Sequence, residues 1–82
     1  MSSTHQVCRI YEDFLAAVLE TFGGRPFAVR DLHEKGIFFP AGRTFLFFWR
    51  CGVLDLYHRG RPSLWVVSGP CRAYLERRRG AA

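Results

Sequence analysis

Apolar residues recur along this chain at helical spacing, then in strand-like alternation, then at helical spacing again. Val7, Ile10, Tyr11, Phe14, Val18 and Phe22 are three or four apart, which predicts one long helix over residues 4–22, ended by Gly23-Gly24. Ser3-Thr4-His5-Gln6 has the pattern of a capping box at its start. Arg9, Glu12, Asp13, Ala16 and Glu20 fall on the other side and read as a solvated face. Glu12 and Asp13 are neighbours, so they point about 100° apart on a helix and are badly placed to share a proton.

Pro26 biases Arg25 toward extended backbone, and Phe27 can then supply a short edge strand. Val29 to Lys35 predicts a second helix with Val29 and Leu32 inward, Ala28 as a poor cap and Gly36 as its stop. The connector Ile37-Phe38-Phe39 is apolar and has to pack or be covered by a partner.

Pro40 suits the first turn of a third helix, and Gly52 is a natural left-handed stop, which predicts a helix of about three turns through Cys51. On a helical wheel Ala41, Phe45, Phe48 and Trp49 share the core side. Arg43, Leu46, Phe47 and Arg50 form the opposite stripe. From Val53 to His58 and from Ser63 to Val67 the chain turns β-branched and aromatic, predicting two strands joined by Arg59-Gly60-Arg61-Pro62, with Gly60 able to take a positive φ. Ser68-Gly69-Pro70 restarts a helix with Cys71, Tyr74 and Leu75 as its apolar edge.

The chain has 82 residues, enough for one domain that hides about 60 to 65% of its extended surface. No apolar run approaches the ~20 residues of a membrane span, and MSSTHQ does not open like a signal peptide, so a soluble, cytoplasmic protein is expected. In a prokaryote it would be associated with the nucleoid. Three cysteines, Cys8, Cys51 and Cys71, lack C-x-x-C spacing and read as small buried hydrophobes. A Cys8–Cys71 bridge between the terminal helices is open to the chain, with no spacing to support it.

Charge changes the picture more. The net charge is +5, yet residues 1–41 sum to −1 and residues 42–82 to +6. A polyanion or an acidic protein surface is the partner such asymmetry favours. All cations but one are arginine, which suits bidentate phosphate or guanine contacts. Arg77-Arg78-Arg79 also has a structural reason, since cations at a helix C-terminus complement its dipole.

The order helix, short strand, helix, tight turn, helix, two-stranded ribbon carries a resemblance. F-A-V-R-D-L, a turn, a helix ending F-x-x-F-x-x-C-G-V-L, and a ribbon closing R-P-S-L-W-V-V-S resemble the winged helix-turn-helix superfamily over about residues 7–68. Phe45, Phe48, Cys51 and Gly52 match its two apolar residues before a small residue and glycine, and Trp65 and Val67 match the inward pair of the returning strand. The resemblance implies an α+β winged helix, with a three-helix core, a short edge strand, a two-stranded β-hairpin wing and a short C-terminal helix at about residues 70–79. It also implies that the third helix enters the major groove of duplex DNA while the wing flanks it.

Carried over by position, Arg43, Thr44, Phe47 and Arg50 face the groove, and Arg59 and Arg61 flank it. Arginine can pair with guanine in bidentate fashion or lie in a narrow minor groove. Leu46 and Phe47 depart from the pattern, because a groove-reading face is mostly polar. With Phe38 and Phe39 they form an apolar patch of the kind that marks a protein interface. The function expected is therefore duplex DNA binding by a transcriptional regulator or replication accessory factor. A homodimer is expected, because one such module covers only ~600 to 1,000 Å² of DNA contact. The competing expectation is a protein-interaction module of a transcription or replication complex, and a third is RNA or single-strand binding, where Tyr57 and Trp65 could stack on bases, although strand alternation predicts Trp65 inward as core. His5, His33 and His58 are scattered, and no phosphate loop, nucleophile elbow or Cys/His pair is present, so no metal, cofactor or enzymatic activity is indicated.

Overall fold

The computed structural model describes residues 3–40, 42 and 44–80. Its elements are α1 (Ser3–Ile10), α2 (Glu12–Phe22), α3 (Val29–Glu34), α4 (Phe45–Arg50), β1 (Leu54–His58), β2 (Leu64–Val67) and α5 (Gly69–Gly80). The described residues thus form a mixed α+β chain of five helices and one antiparallel hairpin.

The long first helix is divided. Tyr11 has φ −110° and ψ 30°, outside helical values, although its amide still reaches the Val7 carbonyl (3.0 Å) and its carbonyl accepts from Leu15 (3.0 Å). This bend lets α1 pack on α5 while α2 packs on both α5 and β2. It also turns the buried face: Cys8 and Leu15 are fully buried, whereas Ile10, expected inward, is 70% exposed. The backbone is already helical at Ser3, and the Thr4 hydroxyl donates to the Cys51 carbonyl (2.8 Å).

Phe27 does act as an edge strand. It bridges Trp65 with two backbone hydrogen bonds of 2.8 Å and stacks on Phe22 at 5.0 Å. In α3 Leu32 is buried, but Val29 is exposed rather than inward. The Asp31 carboxylate accepts from the Ala28 amide (2.9 Å), supplying from inside the helix what the Ala28 side chain cannot. Gly36, at φ 74°, closes α3: its amide reaches His33, and that of Ile37 reaches Leu32.

The third predicted helix shortens most. Pro40 lies outside it, Ala41 is outside the described residues, and the helix begins after Thr44, whose Oγ1 accepts from the Phe47 amide (3.3 Å). A threonine in extended conformation is a better start than proline here, because it satisfies one of the unpaired amides of the first turn. Gly52 closes it as expected, at φ 80°, with Gly52 and Val53 amides returning to Trp49 and Phe48.

The hairpin pairs Leu54 with Val67 and Leu56 with Trp65, and the register shifts between Leu56 and His58. Trp65 and Val67 point into the core as alternation requires. Trp65 meets Phe45 edge-on at 5.2 Å, and Phe45 meets Phe39 at 4.7 Å and Phe27 at 6.0 Å. Such ring pairs add about 0.5 to 1.5 kcal/mol each beyond the area they bury. Ser68, also buried, joins hairpin to α5: its hydroxyl accepts from the Cys71 amide (3.3 Å) and donates to the Gly52 carbonyl (2.6 Å).

Candidate nucleic-acid interface

Helix α4 has only six residues, so the direction of each side chain decides what the helix can do. Phe45 and Phe48 face the core, at 5% and 0% exposure. Trp49, placed on the core side by the wheel, is 41% exposed. Phe47, placed on the outer stripe, is half-buried and lies edge-on to Tyr11 (6.2 Å) and Phe48 (5.3 Å). The reason is local. Leu46 and Phe47 stand at similar angles on either side of the core direction, but the α1–α2 bend brings Tyr11 over the Phe47 flank and leaves the other open.

The outward stripe of α4 is therefore Leu46, Trp49 and Arg50, spaced i, i+3, i+4. Thr44 is exposed at its start, with its hydroxyl engaged in capping. Arg43 lies outside the described residues. Of the apolar connector, Phe38 is 75% exposed, while Phe39 packs against Phe14, His33 and Phe45 and so does not belong to a surface patch. The apolar surface that remains is Phe38, Leu46 and Trp49, with Tyr57 exposed on β1.

At the hairpin tip Arg59 and Arg61 are both exposed. The tip is closed by Ser63, whose hydroxyl donates to the Gly60 carbonyl (3.1 Å) and accepts from the Gly60 amide (3.5 Å). Gly60 does not take the expected positive φ, and the Arg61–Pro62 peptide is cis. Among the described residues no ion pair engages Arg50, Arg59 or Arg61. The α4 stripe and the tip are joined through β1, which packs on α4.

The C-terminal arginines are spent differently. Arg78 pairs with Glu12 (2.9 Å) and lies over the Tyr74 ring, Arg79 pairs with Glu20, and Arg72 pairs with Glu76 (3.3 Å). The acidic side of α2, which the sequence presents as merely solvated, thus receives two arginines of α5. Arg25 likewise turns its guanidinium onto the carbonyls of Thr21 and Phe22 (both 3.1 Å). Part of the basic half is thereby neutralised within the fold, and the unpaired cations of α4 and the hairpin stand out more than the sequence sum shows.

Among the described residues no group of three His, Cys, Asp or Glu side chains is placed to hold a metal ion, and no helix is long and apolar enough to cross a membrane. The residue that sequence reasoning missed is Trp49. Thr44 was the available signal, since a helix capped there carries only Phe45 and Phe48 squarely inward. Comparison with protein-family models, with curated proteins and with solved structures finds no match to this chain.

Proposed function

We propose that this chain is a winged-helix module that binds duplex DNA, with α4 addressing a groove and the β1–β2 hairpin acting as the wing beside it. The order of elements supports the reading: a bent first helix, Phe27 as edge strand, α3, α4, then the hairpin. The observation that carries it is the pair Arg59 and Arg61, exposed and unpaired at a tip closed by its own serine, while three arginines of α5 are held by carboxylates. Two cations on a projecting turn suit phosphates or a narrow minor groove. Arg50 and Thr44 are the polar groups α4 offers to base edges or backbone, with Arg43 just before them. The module acts as a homodimer in transcription or replication, because one copy covers too little DNA for site-level affinity.

A salt titration of binding to mixed-sequence duplex tests this. Log K falls against log salt with a slope near −0.9 per phosphate contacted, and the double substitution Arg59→Ala, Arg61→Ala reduces that slope by about 2. Duplex affinity weaker than ~10⁻⁴ M at physiological salt contradicts the reading.

A second reading is favoured by one observation, the exposure of Phe38, Leu46 and Trp49. The same fold would then dock on another protein of a transcription or replication complex through these side chains. It predicts that Trp49→Ala removes partner capture while duplex affinity, if any, and melting temperature stay nearly constant.

A further inference from the structure

The outer face of α4 is apolar where a groove-reading helix is mostly polar, and the proposed function leaves its two large apolar side chains without a task. The helix reads Phe45-Leu46-Phe47-Phe48-Trp49-Arg50 and carries no acidic residue. Phe45 and Phe48 are buried, and Phe47 lies edge-on to Tyr11 and Phe48. That leaves Leu46, 55% exposed, Trp49, 41% exposed, and Arg50 on the outside. At about 100° per residue Leu46 stands in the middle of this stripe, with Trp49 about 60° to one side and Arg50 about 40° to the other. Leu46 and Trp49 are helix neighbours, about 5 to 6 Å apart at Cβ and about 4.5 Å apart along the axis. Arg50 has no acidic partner among the described residues.

We propose that Leu46 and Trp49 read thymine: they pack on thymine C5-methyl groups in the major groove, so that the module prefers A·T pairs at the positions they cover. This rests on the duplex-binding reading and deepens it by naming the base addressed. Among the groups that base edges present in the major groove, donors and acceptors recur at every pair, and the thymine methyl is the apolar one. It therefore gives an exposed leucine and an exposed indole apolar area to bury, where the other edge groups offer them only polar atoms to desolvate. Successive base pairs are about 3.4 Å apart, so side chains this close to each other address one pair or two adjacent pairs. Charge favours DNA as the occupant of the stripe. Arg50 on its flank and Arg59 and Arg61 at the hairpin tip are unmatched cations, which suit a polyanion. Burying one methyl changes affinity about fourfold, and two about fifteenfold. Because no charge takes part, the factor stays the same as salt screens the phosphate contacts.

The test measures binding of the full chain to an alternating adenine–thymine duplex and to the same duplex with deoxyuridine in place of thymidine. This exchange removes the methyl and keeps every phosphate and hydrogen-bonding group. The thymine duplex is expected to bind about fifteenfold more tightly, by the same factor at low and at raised salt. Leu46→Ala, with a melting temperature near that of the parent, reduces the factor to about fourfold, Trp49→Ala does the same, and the double variant abolishes it. Equal affinity for the two duplexes overturns the assignment while the duplex-binding reading stands. A preference that both single variants retain in full, or that fades as salt rises, places the discrimination outside these side chains and overturns it as well. Failure to bind either duplex at physiological salt removes the duplex-binding reading itself, and this inference with it.

Discussion

Two hydroxyls from distant parts of the chain hold the carbonyls that leave α4. Thr4 donates to Cys51 and Ser68 donates to Gly52, so groups that a helix end ordinarily leaves to water are satisfied inside the fold. Ser68 is buried and also caps α5, so Ser68→Ala removes a cap and strands an acceptor. A loss of about 1 to 3 kcal/mol in urea unfolding is expected. Gly52 has left-handed backbone, and a Cβ there would stand 2.8 Å from Thr4 Oγ1. Gly52→Ala therefore suffers twice, from φ and from the contact, and costs more than about 1 kcal/mol. Pairing it with Thr4→Ala relieves the contact alone, so the double variant is less destabilised than the sum of the singles. In α4, Phe48→Ala should cost ~3 to 5 kcal/mol, whereas Leu46→Ala should change stability by no more than ~0.5 kcal/mol. Thermal melts of the two variants check this contrast.

Elements were legible where the signal is local. Gly36 and Gly52 stop their helices with positive φ, alternation puts Trp65 and Val67 inward, and Phe27 pairs as an edge residue beside Pro26. What the sequence did not disclose depends on contacts between elements. Periodicity ran through Tyr11 because the helical hydrogen bonds on either side of it persist, so nothing in the spacing of apolar residues marks the bend. The wheel of α4 gave the core direction through Phe45 and Phe48, but which flank is covered depends on Tyr11, which lies far away in sequence. The pairing of α5 arginines with Glu12 and Glu20 is likewise a tertiary fact. These pairs are largely exposed, so each is worth at most about 1 kcal/mol. Arg78→Ala with Arg79→Ala is expected to lower the melting temperature by a few degrees at low salt and by less at high salt. It should leave the salt slope of duplex binding unchanged, in contrast to the hairpin pair.

For the whole molecule, the division of charge matters more than its sum. Glu12 and Glu20 of α2 are matched by Arg78 and Arg79 of α5, so part of the charge of the acidic and basic halves of the chain is paired within the fold. The hairpin and α4 keep Arg50, Arg59 and Arg61 without acidic partners among the described residues. The charges of Glu12 and Glu20 are matched within the fold while Arg50, Arg59 and Arg61 are not, and the proposed function assigns those unmatched arginines to a duplex. Amide chemical-shift mapping on titration with a mixed-sequence duplex tests that assignment most directly. The account predicts salt-sensitive shifts concentrated over Thr44–Arg50 and Arg59–Ser63, with α5 nearly silent. Shifts centred on Arg77–Arg79, or none in the hairpin at saturating duplex, would contradict it.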